Sequence, residues 1–384
     1  MRSIELNKMS KSIKISDIDV LAVMLSVIHF SIIPDKMYLL YRYCIIIIEL
    51  TKYHQELHRN RKVVLLFGLY TEVLACSTII NTHSFTWAVS AIMLGMQYIT
   101  MFCVFSKYAR KYGCNGFIKI LINVFVIVLL FNDLLMLVIP YDFTNADETY
   151  WIGNKFLVSY YHCLYACLLY VKNGSKKICC TAIMTIYAAV VAAIVHCTTG
   201  IIIATVIMVM LLMPMWLRSI LQKPWIFIAA LLVENTLIWG SVAIFQNPIV
   251  IDVMVNILHK SANMTGREKL YAVTMELVKN NPLWGYGHNT DIYRELIGYG
   301  NAQNGLFHII TQAGIVGAIV YFGAVYIGIK KGKQDNTLKN YGLYMFIYGM
   351  LVGAAVEINL STVFILGVAI IYSLNIQNKQ SEHR

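Results

Sequence analysis

The sequence predicts an all-α polytopic membrane protein with about twelve transmembrane helices and one long extracytoplasmic loop that carries a short amphipathic helix. Hydrophobic residues make up 58% of the 384 residues and charged residues 13%, against about 45–50% and about 25% in a soluble domain. Apolar runs long enough to cross a bilayer recur along the whole chain. The Lys and Arg residues lie in short clusters between these runs, as the positive-inside rule requires of cytoplasmic loops.

Twelve apolar stretches are predicted to span the membrane within a single domain over residues 1–384. The predicted spans are 18–34, 37–53, 63–80, 85–105, 117–139, 155–171, 178–195, 199–217, 225–245, 306–329, 341–357 and 361–376. The second is the weakest, because Arg42 and Glu49 interrupt it. Both termini are predicted to be cytoplasmic, since most of the 31 Lys and Arg residues then lie inside.

The net charge of +11 does not indicate nucleic-acid binding, because the basic residues lie at the ends of the predicted spans. The expected partners of these residues are membrane lipids. The nine cysteines lie in or beside apolar runs, with neither a disulfide framework nor a metal-ligand spacing. We expect no metal and no cofactor.

The longest hydrophilic segment, residues 246–305, is predicted to be the extracytoplasmic loop. Thr265 and Glu268 have the spacing of a capping box at the start of a helix. An apolar stripe follows at helical spacing, formed by Leu270, Val273, Leu277 and Val278. The helix is predicted to end before Pro282, because the residue that precedes a proline disfavours the helical conformation.

Arg267 then lies in the first turn of this loop helix. A helix N-terminus combined with an arginine side chain favours the binding of a phosphate or pyrophosphate group. The alternative is an arginine that extends to lipid headgroups and has no catalytic role.

The loop helix is followed by a turn of unusual composition, NNPLWGYGHNT at residues 280–290. Gly285 and Gly287 permit a tight turn or the close approach of a ligand to the backbone. Trp284 and Tyr286 suit stacking on sugar rings, and an interfacial turn with aromatic anchors is the alternative. His288 ends the motif as a candidate acid or base.

Two further polar groups lie at predicted outer ends of spans. Asn304, His308, Thr311 and Gln312 form a polar stripe on the tenth span, with Gln303 beside it. Such a stripe commonly faces a cavity, or it bonds to a neighbouring helix. His196 and Thr199 form a second cluster, at the turn between the seventh and eighth spans, where turn chemistry alone is the alternative.

The ordered segments GREKLYAVTMELVKNNPLWGYG and NAQNGLFHIITQAGIVG resemble the O-antigen ligase/polymerase superfamily. Upstream, WIGNKFLVSYYHCLYACLL at residues 151–169 and HCTTGII at residues 196–202 are similar to segments of Wzy-type capsular and exopolysaccharide polymerases. Sequence motifs support the resemblance over roughly residues 150 to 325. In the rest of the chain only the predicted topology supports it.

This resemblance implies a metal-independent glycosyltransferase of the GT-C type in the cytoplasmic membrane of a bacterium. Its donor and acceptor are expected to be oligosaccharides linked to undecaprenyl pyrophosphate. A polymerase moves the growing glycan onto a new lipid-linked repeat unit at the outer face of the membrane. A chain-length regulator is a further candidate partner.

The resemblance also implies roles for the candidate residues. Arg267 matches the loop arginine of the superfamily and is assigned to the pyrophosphate leaving group, where charge develops in the transition state. Gln303-Asn304 stands where many members have His-Asn, and a glutamine cannot act as a base. His288 or His308 is the candidate for that role; the alternatives are a base elsewhere in the chain or a reaction that needs none. The remaining residues are predicted substrate contacts: Gln303, Asn304, Trp284, Gly285, Tyr286, Gly287, His196 and Thr199. Arg267, His288 and Asn304 are expected to converge on one cavity.

Two other functions remain open at this point. A ligase of the same superfamily would attach finished glycan to a lipid or protein acceptor. Thr199-Gly200 stands where that branch often has an arginine, which favours the polymerase. A flippase or ion-coupled transporter would use intramembrane carboxylates such as Asp133 and Glu234.

Overall fold

The computed structural model describes residues 18–145, 147–245, 267–330 and 340–380. Only the backbone is described for residues 175–176, 239–245, 267–268 and 376–380. Within these ranges the regular secondary structure is helical, including a 3₁₀ turn at Gly174–Lys177. The exception is a short hairpin that pairs β1 (Thr149–Tyr150) with β2 (Gly153–Asn154). The predicted all-α class is confirmed.

The first ten helices run from residue 18 to residue 245. They are α1 Ile18–Val27, α2 Asp35–Lys52, α3 His54–Arg59, α4 Arg61–Thr82, α5 Phe85–Val138, α6 Lys155–Asn173, α7 Ile178–Ile194, α8 Thr198–Leu212, α9 Met215–Leu221 and α10 Pro224–Phe245. The predicted span 199–217 crosses the end of α8, because Pro214 interrupts the helical hydrogen bonds there.

The remaining helices follow residue 266. They are α11 Arg267–Asn280, α12 Ile292–Ile297, α13 Gly305–Ile329, α14 Tyr341–Ala354 and α15 Thr362–Gln380. The loop helix therefore ends immediately before Asn281-Pro282, as predicted. Thr265 lies outside the described residues, as does the side chain of Glu268, so the capping box stays a prediction.

Helix α5 is too long to be a single membrane span. Its 54 residues would extend about 80 Å at 1.5 Å per residue, whereas the hydrocarbon core of a bilayer is about 30 Å thick. Gly113 has φ of 75° and separates the helix into two arms, 85–112 and 114–138. These arms contain most of the predicted fourth and fifth spans.

Three described helices are long and apolar enough to cross a membrane: α4, α5 and α13. The pair α9 and α10, bent by 81°, adds a fourth candidate. Several shorter apolar helices have 10 to 17 residues, among them α7, α8 and α14. The number of twelve spans and the extracytoplasmic position of the loop stay predictions.

The core lies between two groups of helices. Helices α4, α5, α13 and α15 pack on one another, and α6, α7, α8 and α14 form a second group against them. A buried tyrosine joins the groups, since the hydroxyl of Tyr344 in α14 donates to the carbonyl of Ile329 in α13 at 2.7 Å. Large apolar side chains such as Leu65, Ile127 and Leu237 stay exposed, as a surface that faces lipid requires.

Candidate functional site

Helix α13 is broken at Gly314, near the end that carries the predicted polar stripe. This residue has φ of 67° and ψ of −176°, which is outside the helical region. In a continuous helix the amide of Ile315 would donate to the carbonyl of Thr311, and that of Val316 to the carbonyl of Gln312. The break removes both bonds, and a buried backbone group without a partner costs about as much as a lost hydrogen bond.

The loop at residues 282–287 supplies the missing partners. Its amides donate to the two freed carbonyls, and its carbonyls accept from the two freed amides. The bonds are Tyr286 N–Thr311 O at 2.7 Å, Gly287 N–Gln312 O at 2.9 Å, Ile315 N–Pro282 O at 2.8 Å and Val316 N–Leu283 O at 3.3 Å. The PLWGYG segment is therefore inserted between the two halves of the broken helix.

Glycine is required at three positions of this contact. Gly285 and Gly287 have φ of 69° and 95°, and Gly314 has φ of 67°, in the region that other L-residues rarely adopt. A Cβ atom on Gly314 would lie 2.0 Å from the carbonyl oxygen of Leu283. A Cβ on Gly287 would lie 2.5 Å from the Cα of Thr78. The backbones approach too closely for any side chain.

Side chains of α4 and of the loop helix hold the turn. The carbonyl of Gly285 accepts from Asn81 Nδ2 at 3.1 Å and from Asn281 Nδ2 at 2.5 Å. The hydroxyl of Tyr286 donates to the carbonyl of Leu277 at 3.1 Å, near the C-terminus of α11. Polar groups from three segments thus hold one turn.

The loop also has an apolar core of its own. Leu270 and Leu277 of α11 pack with Tyr293 of α12 and with Ala302. The hydroxyl of Tyr293 shares a hydrogen bond of 2.9 Å with Thr311 Oγ1. Thr311 of the predicted polar stripe therefore has a structural role, and α11 is fixed relative to α13.

His288 lies immediately after the inserted segment, between α4 and α5. Its amide donates to Thr78 Oγ1 at 2.8 Å, and its Nε2 lies 3.4 Å from Ser90 Oγ. Its Nδ1 is buried without a hydrogen bond in the described part of the chain. Burial, followed by the charge of Arg42, lowers the pKa of His288 to about 4. The ring is therefore neutral at pH 7, with a nitrogen available as an acceptor.

Asn304 is the N-cap of α13 and is almost fully buried. Its Oδ1 accepts from the amide of Phe307 at 3.0 Å, the usual bond of an N-cap asparagine. Its Nδ2 donates to Asn235 Oδ1 of α10 at 2.9 Å and lies 3.4 Å from the carbonyl of Ala355. Asn304 thus joins α10, α13 and the linker that follows α14.

The linker 355–361 between α14 and α15 connects the loop helix with Asn304. The hydroxyl of Tyr271 donates to the carbonyl of Ala355 at 3.5 Å, the same carbonyl that Asn304 approaches. Arg267 is the first residue of α11 and precedes Tyr271 by four positions, so the two positions share one helix face. The side chain of Arg267 lies outside the described residues.

The two upstream motif segments meet beside this linker. Gly200 of α8 packs on Ser159 of α6, because a Cβ on the glycine would lie 2.5 Å from Ser159 Cβ. Thr199 is buried, and its methyl group lies near Gly353 of α14. Tyr160 of α6, Cys197, Glu357 and Asn359 interact electrostatically in the same cluster. The hydroxyl of Tyr160 and the Oδ1 of Asn359 are both buried there, and the side chain of Asn359 is the polar neighbour of that hydroxyl.

The other predicted site residues are more peripheral. His308 is half-buried in the first turn of α13, within electrostatic range of His288. Gln303 is half-buried with φ of 45°. Trp284 is 50% exposed, which suits the interfacial anchor considered above. His196 is exposed with φ of 50° at the end of α7.

The predicted residues therefore fall into two groups on either side of the start of α13. His288 and His308 lie toward α4 and α5. Asn304 lies toward the linker 355–361, and Thr199 lies near that linker, beside Gly353 and Asn359. In the described part of the chain, His288 bonds to Thr78 and Ser90 and Asn304 to Phe307, Asn235 and Ala355, with no hydrogen bond between the two. The break at Gly314 and the inserted loop are the connection between the two groups.

Sequence reasoning missed several polar residues of this region. Arg42 of α2 was read only as an interruption of a span, yet it lies within electrostatic range of His288 and its Nε is buried without a hydrogen bond in the residues the structure covers. Asn235, Tyr160 and Asn359 were not selected. Glu357 and Glu234 are carboxylates within predicted spans, a class that sequence analysis can find.

A family model described as O-antigen ligase matches residues 183–322. The match begins in α7 and ends within α13, so it includes Thr199, Arg267, the inserted loop and His308. It confirms the predicted resemblance to the O-antigen ligase/polymerase superfamily. No curated protein matches the chain significantly.

The insertion of the loop makes Gly314→Ala a severe change. Alanine adds about 1–3 kcal/mol of backbone strain in this positive-φ region, and its Cβ would collide with the carbonyl of Leu283. We expect a lower melting temperature in detergent and faster proteolysis of the loop. The matched control is Gly323→Ala in the same helix, where the nearest atom is 3.8 Å away. Equal melting temperatures for the two variants would contradict the insertion.

The environment of His288 predicts a pH-dependent stability. The unfolded side chain binds a proton near its ordinary pKa of 6.5, whereas the folded one does so only near 4. Stability is therefore expected to fall as the pH decreases from about 6.5 to about 4, because the unfolded state binds more protons there. Melting temperatures across this range should decline less steeply for His288→Gln.

The control for that experiment is His58→Gln, which changes an exposed histidine of α3. Its pH curve should follow that of the wild type. If the His288→Gln curve also had the wild-type slope, the assigned environment of His288 would be incorrect.

Proposed function

Because residues 183–322 match the O-antigen ligase family, we propose that the protein is a glycosyltransferase that acts on lipid-linked oligosaccharides. More specifically, we propose a polysaccharide polymerase. It would transfer a growing glycan from undecaprenyl pyrophosphate to a lipid-linked repeat unit at the outer face of the bacterial cytoplasmic membrane. The supporting observation is that the matched region contains Arg267, the inserted loop and the polar start of α13.

In the proposed reaction, a hydroxyl group of the acceptor sugar attacks the anomeric carbon of the donor. The new glycosidic C–O bond forms as the bond between that carbon and the pyrophosphate oxygen breaks. Pyrophosphate on the lipid leaves with the electron pair, and the proton of the hydroxyl group passes to a base. The protein must therefore stabilise an anion and accept a proton.

Arg267, at the N-terminus of α11, is proposed to stabilise this anion. The helix dipole and the guanidinium both favour a phosphate group there. The contact between Tyr271 and Ala355 supports this assignment, because it holds the same helix face against the linker near Asn304. Arg42 is proposed as a second cation, near His288, on the other side of α13.

His288 is proposed as the proton acceptor, with His308 as the alternative. His288 is neutral at pH 7, and its Nδ1 has no hydrogen-bond partner in the described residues. A base with a pKa of about 4 is weak, but a nearby anion favours the charged form of an imidazole.

The second candidate is ligation, because the matching family model is described as O-antigen ligase. Ligation uses the same leaving group and differs in the acceptor. Transport is less supported: Asp133 lies 3.1 Å from His162 and accepts from the hydroxyl of Tyr187 at 2.7 Å. That carboxylate has structural partners.

A deletion strain separates these functions by the glycan that accumulates. Loss of a polymerase should leave single repeat units on the final acceptor, without a ladder of longer chains on a gel. Lipid-linked polymer that is never transferred would instead assign ligation. Repeat units retained on the cytoplasmic side would contradict both glycosyltransferase functions.

The role of Arg267 has a narrower test. Arg267→Ala should reduce chain extension by about 10²–10³-fold, the usual effect of removing one group that stabilises transition-state charge. The control is Lys269→Ala, which removes an exposed cation from the same helix. Extension is measured on reconstituted protein with lipid-linked repeat units, and the amount of inserted protein by immunoblot. Wild-type chain lengths for Arg267→Ala would exclude the assignment.

A further inference from the structure

A cavity of about 550 Å³ lies at the other end of the helix bundle. Its lining residues are Asp19, Lys52, Tyr53, Arg59, Lys107, Tyr108, Arg110 and Lys111. They come from α1, the end of α2, α3 and the first arm of α5. None of them belongs to the candidate site described above.

The cavity and the candidate site are on opposite sides of the predicted membrane. Helix α4 begins beside the cavity at Arg61 and reaches the inserted loop at Thr78. In α5, Ser90 contacts His288 and Lys107 lines the cavity. The 17 residues between them correspond to about 25 Å of helix, which approaches the thickness of the hydrocarbon core. The positive-inside rule assigns the cavity to the cytoplasmic side.

Asp19, the carboxylate of the cavity lining, is already paired. The buried Glu49 lies within electrostatic range of Asp19 and Lys52 but is not part of the lining. Asp19 accepts from Lys52 Nζ at 2.5 Å, from the hydroxyl of Tyr53 and from that of Tyr108 at 3.1 Å. The buried Glu56 beside the cavity pairs with Arg59 at 3.1 Å and with Arg110. These bonds use three of the five cations in the lining.

Two lysines keep an unpaired positive charge. Within the described ranges, neither Lys107 nor Lys111 has a carboxylate partner. The ammonium of Lys111 lies 4.6 Å from the ring centroid of Tyr112 and 5.6 Å from that of Tyr108, so aromatic faces hold it at the cavity. The lining has five cations and one carboxylate, and it therefore favours an anion.

We propose that this cavity binds a phosphate group. The volume is within the range of small-ligand sites, about 300–1,000 Å³. Lysine and arginine side chains are the usual phosphate partners, and basic pockets between helices on the cytoplasmic side bind anionic lipid headgroups. A soluble phosphate ligand has the same chemistry, and the experiment below separates the two sources. The inference does not depend on the proposed glycosyltransferase activity.

The test uses the purified full chain in an uncharged detergent. Short-chain phosphatidylglycerol, the corresponding phosphatidylcholine and inorganic phosphate are titrated separately, and the melting temperature is recorded. Phosphatidylglycerol is expected to raise it saturably, and phosphatidylcholine is expected to have no effect. Lys107→Gln with Lys111→Gln should weaken the apparent affinity by roughly thirtyfold, at about 1 kcal/mol for each cation.

The matched control is Arg61→Gln with Lys62→Gln, which removes two exposed cations from the same end of the bundle but outside the cavity. It should retain wild-type affinity. Lys107→Arg with Lys111→Arg keeps the charge and should also bind. Equal weakening by both glutamine pairs, or equal stabilisation by phosphatidylcholine, would overturn the site. Saturable stabilisation by inorganic phosphate alone, lost only in the cavity variant, would support the site and assign a soluble ligand.

Discussion

The structure of the candidate site depends on one exchange of backbone hydrogen bonds. Helix α13 gives up two bonds at Gly314, and the loop at residues 282–287 restores all four backbone groups. This exchange fixes where α11 ends. It also places His288 beside Ser90 and leaves Asn304 as the cap of α13. Irregular backbone at membrane depth is stable only where such partners are supplied.

Much of the fold could be predicted, because helix formation in a membrane follows local hydrophobicity. A helix lies in each predicted span, although α1 covers only residues 18–27 of the span predicted at 18–34, and α11 ends before Pro282. The break at Gly314 could not be predicted, since glycine is frequent in transmembrane helices and most do not break them. The partners of the break are about 30 residues upstream along the chain. A single sequence contains no signal for that pairing.

Only part of the candidate site could be predicted from the sequence, for a related reason. The polar residues of α13 were visible, but their uses differ: Asn304 caps the helix, Thr311 bonds to Tyr293, and Gln312 contributes its backbone carbonyl. The glycines of the WGYG turn permit a tight turn or the close approach of a ligand, and in the structure they form a turn whose backbone approaches Gly314 and Thr78. Arg42 was missed because its position beside His288 depends on tertiary packing. The chemical character of a side chain is known from the sequence, whereas contacts between segments that are distant along the chain are not.

Hydrogen–deuterium exchange of the full chain in detergent tests the central claim most directly. The amides of Tyr286, Gly287, Ile315 and Val316 donate to buried partners, so they should exchange slowly and lose protection together. The neighbouring amides of Asn289 and Thr290, for which the structure shows no such bonds, should exchange fast. Rapid exchange at Tyr286 and Gly287 with slow exchange at Ile315 and Val316 would mean that α13 is continuous and that the loop is not inserted. That result would contradict the proposed arrangement of the site.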